Sequence, residues 1–172
     1  MNRRRALGLS LIALVTNLVS ANSSFSQPRS LRDELVGTWI YVSSTGKRED
    51  GSNVERPNMQ GAVTYTHDGH FHFITTRADL PKYTSNDTTR PSPEEAMAVA
   101  SGSIAYAGTY AVDERSRTIH VNIETSTFPN LIEAPNQLRV IASISGDEMR
   151  TINPRTLSGV ALEFVWKRAD SE

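Results

Sequence analysis

The feature that most limits how this chain can fold is a succession of short segments in which apolar and polar residues alternate. Alternation at every second residue is typical of a β-strand with one buried face. Turn signals such as Asp68-Gly69 separate the segments and favour antiparallel hairpins. We predict an all-β, antiparallel up-and-down barrel of roughly eight strands with one or two short helices, the strands covering 35–42, 61–66, 70–76, 104–112, 117–127, 137–143, 148–152 and 160–168.

Two helix-start signals interrupt the strand pattern. Ser30 followed by Asp33 predicts a helical turn over 31–35. Ser92-Pro93 followed by Glu95 predicts a helix over 93–101 that ends at Gly102. The apolar face of the second helix is light, which suits a lid over a barrel mouth and equally a helix packed on the barrel exterior.

The first strand begins on a glycine and places a tryptophan two residues later, at Gly37 and Trp39. A Gly-X-Trp step behind a short helical turn resembles the start of calycin-superfamily barrels. The resemblance implies that Trp39 plugs the closed end of the barrel. It also implies a late basic side chain over the indole ring, for which Lys167 and Arg168 are the candidates.

Composition excludes several classes of function. The chain has no cysteine, so disulfides, thiol catalysis and cysteine-based metal sites are excluded. Net charge is −1 without a basic run, which argues against a nucleic-acid partner. No P-loop, dinucleotide fingerprint or Ser/His/Asp order is present, and we predict no cofactor.

The first residues of the chain have the pattern of a secretory signal. Three arginines at 3–5 precede an apolar run over 6–19, and small residues lead to Ala21. We predict cleavage after Ala21 and a secreted or periplasmic protein without a membrane span; an uncleaved anchor is the alternative. The remainder then carries a charge of about −4. The predicted order is signal peptide 1–21, disordered leader 22–30, barrel domain 31–168 and tail 169–172.

The order of motifs along the chain resembles that of the lipocalin-like domain family of bacterial and fungal proteins. The motifs are LVGTW (35–39), YTHDG (65–69), SPEEA (92–96), AYAGTY (105–110), HVNIE (120–124), FPN (128–130) and QLR (137–139). The resemblance implies a small calycin-type barrel with an internal cavity. Some fungal relatives occur with natural-product enzymes, which implies a cofactor-free isomerase or cyclase as an alternative to binding.

We favour an exported protein that binds a small, mostly hydrophobic molecule in the barrel cavity. The proposed wall comes from the aromatic and aliphatic rows of the later strands, and the proposed polar contacts come from three side chains beside them. The wall candidates are Tyr106, Tyr110, Val140, Leu162 and Phe164, the polar candidates are His120, Glu124 and Arg139, and Gly37, Trp39 and Arg168 form the barrel base.

Two of the polar candidates allow more than one interpretation. His120 and Glu124 lie about 13 Å apart along one strand, so an acid–base role needs a partner from a neighbouring strand. The alternative is that they face solvent opposite Ile119, Val121 and Ile123. The resemblance favours the cavity, because the family's His and Glu recur there. Arg139 either forms an exterior salt bridge or holds a ligand carboxylate.

The histidines of the third predicted strand offer a weaker possibility. His70 and His72 share one strand face and are candidate metal ligands; the alternative is that they are polar hairpin residues facing solvent. A third function, a structural or protein-interaction module of the cell envelope, requires a barrel filled with side chains and an exposed apolar patch.

Overall fold

A computed structural model of the chain describes residues 29–135 and 137–169. The predicted signal peptide, the leader as far as residue 28 and residues 170–172 of the predicted tail lie outside the described residues. Among the helices described, none has the length and apolar character needed to traverse a bilayer.

The described chain folds into nine strands, two α-helices and one 3-10 helix, which confirms the all-β prediction. In chain order the elements are α1 (Leu31–Leu35), β1 (Gly37–Lys47), β2 (Asn53–Val54), β3 (Met59–Tyr65), β4 (His70–Arg77), α2 (Pro93–Gly102), β5 (Ser103–Asp113), β6 (Thr118–Ser126), a 3-10 turn (Pro129–Leu131), β7 (Leu138–Ser145), β8 (Glu148–Asn153) and β9 (Ala161–Arg168).

The sheet closes on itself. Consecutive strands pair antiparallel from β3 to β9, and β1 pairs with both β3 and β9. The result is a closed barrel of eight strands. The short β2 pairs only with the far end of β1, through Gly46 and Lys47. Strand β1 extends beyond the predicted strand 35–42, because residues 43–47 also pair with β9.

One end of the barrel is filled with side chains. Trp39 is wholly buried there together with Leu35, Ile119 and Met149. The Trp39 Nε1–H donates a hydrogen bond to the carbonyl of Leu35 at 2.8 Å. That bond joins α1 to the barrel, and it satisfies the indole donor that burial removes from water.

Arg168 stabilises the same end of the barrel, where its side chain lies over the indole ring of Trp39. Its guanidinium carbon lies 4.0 Å from the centroid of the Trp39 ring. Its Nη1 and Nη2 donate to the carbonyls of Val36, at 2.9 Å, and Glu34, at 2.6 Å. These carbonyls end α1, a helix of five residues that is too short to be stable without tertiary contacts. The structure therefore places Arg168, and not Lys167, over the tryptophan.

A β-bulge between β5 and β6 depends on a glycine. Ala107 pairs with Thr125 and Gly108 with Ile123, so Glu124 is an extra residue on β6. A Cβ atom at Gly108 would lie 1.9 Å from the carbonyl oxygen of Asn122. Only glycine lets the two backbones approach this closely.

We expect Arg168→Ala to lower the free energy of unfolding by about 2–3 kcal/mol, because two charge-assisted hydrogen bonds and a cation–π contact disappear. Urea denaturation followed by tryptophan fluorescence measures this change. Lys167→Ala is the matched control, since Lys167 is exposed and its removal should change stability by less than about 0.5 kcal/mol. Equal effects of the two substitutions would contradict the assigned clamp.

We expect Gly108→Ala to destabilise the barrel by about 3 kcal/mol, because the new methyl group collides with backbone of β6. Gly146→Ala provides the comparison. Gly146 has a φ of +59° and open space around it, so its substitution should cost only about 1 kcal/mol of backbone strain. Thermal unfolding followed by circular dichroism should show this order, and the reverse order would rule out the collision.

Candidate functional site

The barrel is open at the end opposite Trp39, where it encloses a cavity of about 420 Å³. We call this space the mouth cavity. Its wall comes from strand residues with inward-facing side chains, and its rim comes from the loops that follow β6 and β8. The wall includes Phe73, Ile104, Tyr106, Leu162 and Phe164, and the rim includes Phe128, Leu131 and Leu157. The volume lies within the range of about 300–1,000 Å³ that is usual for small-molecule sites.

A layer of aromatic rings separates the mouth cavity from the filled base. Phe73 and Tyr106 pair across β4 and β5, and their rings stack with centroids 4.5 Å apart. Phe164 and Trp166 stack at 5.4 Å, and Phe73 packs edge-on against Trp166. Below this layer lies a void of about 20 Å³, space for about one water molecule. The rings therefore form the floor of the mouth cavity.

Arg139 lies at this floor. The half-buried side chain lines both the small void and the mouth cavity. Its Nη1 donates to the carbonyl of Leu138 at 2.7 Å, and its Nη2 donates to the Tyr106 hydroxyl at 3.3 Å. Within the described residues no carboxylate forms an ion pair with Arg139. The structure thus places the guanidinium inside the barrel and not in an exterior salt bridge.

A second arginine reaches the mouth cavity from the loop between β2 and β3. The half-buried Arg56 lines the cavity, and its Nε donates to the Ser44 hydroxyl at 3.4 Å. The other polar side chains in the lining, among them Gln137, Asn153 and Thr156, are uncharged. Both charges that line the cavity within the described residues are therefore positive.

Two of the predicted wall residues lie elsewhere. Val140 stands between Arg139 and the fully buried Ile141 on β7, so its side chain faces the outside of the barrel. Tyr110 is buried in the base, where its hydroxyl donates to the carbonyl of Thr66 at 2.8 Å and its ring lies 5.1 Å from that of Tyr65. Of the predicted binding residues, the structure brings together Tyr106, Arg139, Leu162 and Phe164.

His120 and Glu124 lie on the outer face of β6. Both are exposed, whereas Ile119 and Ile123 are buried inside the barrel. Glu124 accepts hydrogen bonds at 3.3 Å from the Thr109 hydroxyl and from the Asn122 amide. Neither side chain lines the mouth cavity, in which they were predicted to contact a ligand. The sheet wall separates them from any reaction in the cavity.

The two histidines of β4 also face outward. His70 and His72 are exposed, and His70 Nδ1 lies 3.1 Å from an Asp68 carboxylate oxygen. Hydrogen bonds, first from the Thr66 hydroxyl and then from His70, lower the pKa of Asp68 to about 2. Residues 29–135 and 137–169 contain no cluster of three or more side chains arranged to hold a metal ion. His70, the first residue of β4, therefore interacts with the hairpin turn that precedes it.

Helix α2 lies beside the mouth cavity. Ala96, Val99 and Ala100 line a neighbouring groove of about 670 Å³, which shares Arg56 and Phe128 with the cavity. No residue of α2 lines the cavity itself. The helix therefore flanks the opening of the cavity, and the loops that follow β6 and β8 form the rim of that opening.

Of the fifteen residues that line the mouth cavity, four were predicted from the sequence and the other eleven were missed. Phe73 carried a usable signal, since it shares a strand face with the buried Phe71. Arg56, Phe128 and Leu157 lie in loops, where no periodicity shows which way a side chain points. Their contribution depends on how the loops fold over the barrel end.

An apolar row crosses the outside of the barrel. Strand pairing places Ile40, Ala62, Ile74 and Ala105 side by side, and Ile40 and Ile74 are 44% and 50% exposed. The hypothesis of a structural module also required a filled barrel. The mouth cavity contradicts that requirement.

Comparison with known proteins gives a family match and remote structural likenesses. A family described as the lipocalin-like domain matches residues 36–168. Bovine odorant binding protein in complex with a selenium-containing odorant is 14% identical, with 84% of this chain and 76% of that chain covered and a TM-score of 0.42. A structure described as EF1p2_mFAP2b bound to DFHBI is 14% identical, with 82% and 100% covered and a TM-score of 0.36. No curated protein matches the chain significantly.

Proposed function

We propose that this chain, which belongs to the lipocalin-like domain family, binds a small, mostly apolar molecule in the mouth cavity. The observation that carries the proposal is the contrast between the two halves of the barrel. The base is packed around Trp39, whereas about 420 Å³ stays open above the aromatic floor. Covering the apolar surface of such a cavity with an apolar molecule lowers the free energy, so the open half of the barrel suits a small ligand.

The lining supports an apolar ligand. The aromatic floor and the aliphatic wall offer dispersion contacts on several sides. At the rim Phe128 is 46% exposed and Leu157 is 53% exposed. When a ligand covers large apolar side chains around an opening, their removal from water lowers the free energy of the complex.

The alternative of a cofactor-free isomerase or cyclase loses its proposed acid and base. That hypothesis assigned proton transfer to His120 and Glu124, which are exposed on the outer face of β6. A general acid or base must come within hydrogen-bond reach of the reacting group. The geometry therefore favours binding.

We expect the neutral fluorescent probe N-phenyl-1-naphthylamine to bind the protein, and its fluorescence to increase on binding. Leu162→Trp should weaken its affinity by at least about tenfold, because the larger ring fills part of the cavity. Ile74→Trp is the matched control, since Ile74 is half exposed on the outer face, and it should leave the affinity unchanged. Equal affinity in all three proteins would show that the probe does not enter the mouth cavity.

We also propose that residues 1–21 direct export and are removed. The three arginines followed by the apolar run over 6–19 support this proposal. Expression of the full chain in a bacterium with a periplasm should yield an exported protein whose first residue is Asn22, read by N-terminal sequencing. Leu14→Arg, which interrupts the apolar run, should retain the uncleaved chain in the cytoplasm, whereas Ser24→Arg should not. An exported chain that keeps Met1 would contradict cleavage.

A further inference from the structure

We propose that the ligand of the mouth cavity carries a carboxylate, held at the cavity floor by Arg139 and the hydroxyl of Tyr106, with its apolar body directed toward the rim. This inference rests on the proposed binding function and specifies the chemical class of the ligand. It follows from the charges of the lining, from the hydrogen-bond donors at the floor and from the depth of Arg139.

The first argument is the charge balance of the cavity. Arg56 and Arg139 are the charged side chains in the lining, and no described acid stands beside them. A neutral apolar ligand would take water away from Arg139 and offer no charge in return, which is costly for a desolvated cation. A cationic ligand would add repulsion. An anionic ligand replaces the lost water and compensates the charge.

The second argument is the supply of donors at the floor. The guanidinium has more N–H donors than its bonds to Leu138 and Tyr106 use. Within the described hydrogen bonds the Tyr106 hydroxyl only accepts, and it accepts from Arg139. Its own proton is therefore available to a ligand. An arginine N–H beside a phenol O–H can donate to both oxygens of one carboxylate.

The third argument is depth. Arg139 lines the void beneath the floor as well as the mouth cavity, whereas Phe128 and Leu157 belong to the exposed rim. A carboxylate at Arg139 therefore places the rest of the molecule along Leu162 and toward the rim. Arg56, from a loop at the opening, adds positive potential that attracts an anion during entry.

The experiment compares three ligands of equal chain length as displacers of N-phenyl-1-naphthylamine. Dodecanoate, 1-dodecanol and dodecylamine differ only in the head group. We expect dodecanoate to displace the probe from the wild-type protein at a concentration at least about tenfold lower than either of the others, because only it forms charge-assisted hydrogen bonds with Arg139. This comparison requires no variant.

Variants then locate the effect. Arg139→Gln should abolish the preference for dodecanoate over dodecanol, and Arg139→Lys should retain part of it, since an ammonium keeps the charge without the planar fork. Arg150→Gln is the matched control. It removes the same charge from an exposed arginine that pairs with Glu148 at 3.0 Å, and it should keep the full preference.

The outcomes separate the two proposals. Probe binding with equal displacement by dodecanoate and dodecanol, or with stronger displacement by dodecylamine, overturns the carboxylate site and leaves the binding function intact. A preference for dodecanoate that persists in Arg139→Gln overturns the role of Arg139. A wild-type protein that binds neither the probe nor, by calorimetry, any of the three ligands overturns the binding function itself.

Discussion

The pairing of β1 with β9 is the contact on which the rest of the structure depends. It joins the first and last strands, from Trp39 opposite Arg168 to Lys47 opposite Ala161, and so removes the unpaired edges of the barrel. Closure of eight strands leaves an interior just wide enough to be filled by side chains or to hold one small ligand. The same pairing brings Arg168 over Trp39 and fixes α1 against the closed end. The barrel achieves this without a disulfide, since the chain has no cysteine.

One half of the barrel interior is filled with side chains, and the other half has room for a small ligand. Below the aromatic floor, side chains around Trp39 fill the barrel, and their burial favours folding. Above it, Leu162 and Ile104 leave an open volume. Tyr106 serves both halves, because its ring belongs to the floor and its hydroxyl accepts from Arg139. This hydrogen bond helps to hold Arg139 in one position, and such preorganisation lowers the entropy lost when a ligand binds.

The alternation along each strand predicted many of the inward-facing side chains. Its period of two separates the two faces of a strand but does not by itself show which face points inward. Long apolar rows on β6 and β9 identified the inner face. On β7 both faces carry aliphatic residues, so sequence could not show that Arg139 and Ile141 point inward and Val140 outward. The exposed position of His120 and Glu124 did follow from the row Ile119, Val121 and Ile123. The family resemblance favoured the cavity instead, whereas the structure places both side chains on the outer face of β6.

The sequence by itself determined the fold class, the strand order along the chain and both helix starts. These features depend on local chemistry: alternation, capping residues and turn glycines. The buried tryptophan with a late basic partner was implied by the family resemblance. Only the tertiary structure decided which arginine covers Trp39, where the packed core ends and which loops form the rim of the mouth cavity. Those outcomes depend on barrel closure, which brings Arg56, Arg139 and Leu162 from distant parts of the chain to one cavity. No local sequence pattern predicts such a long-range contact.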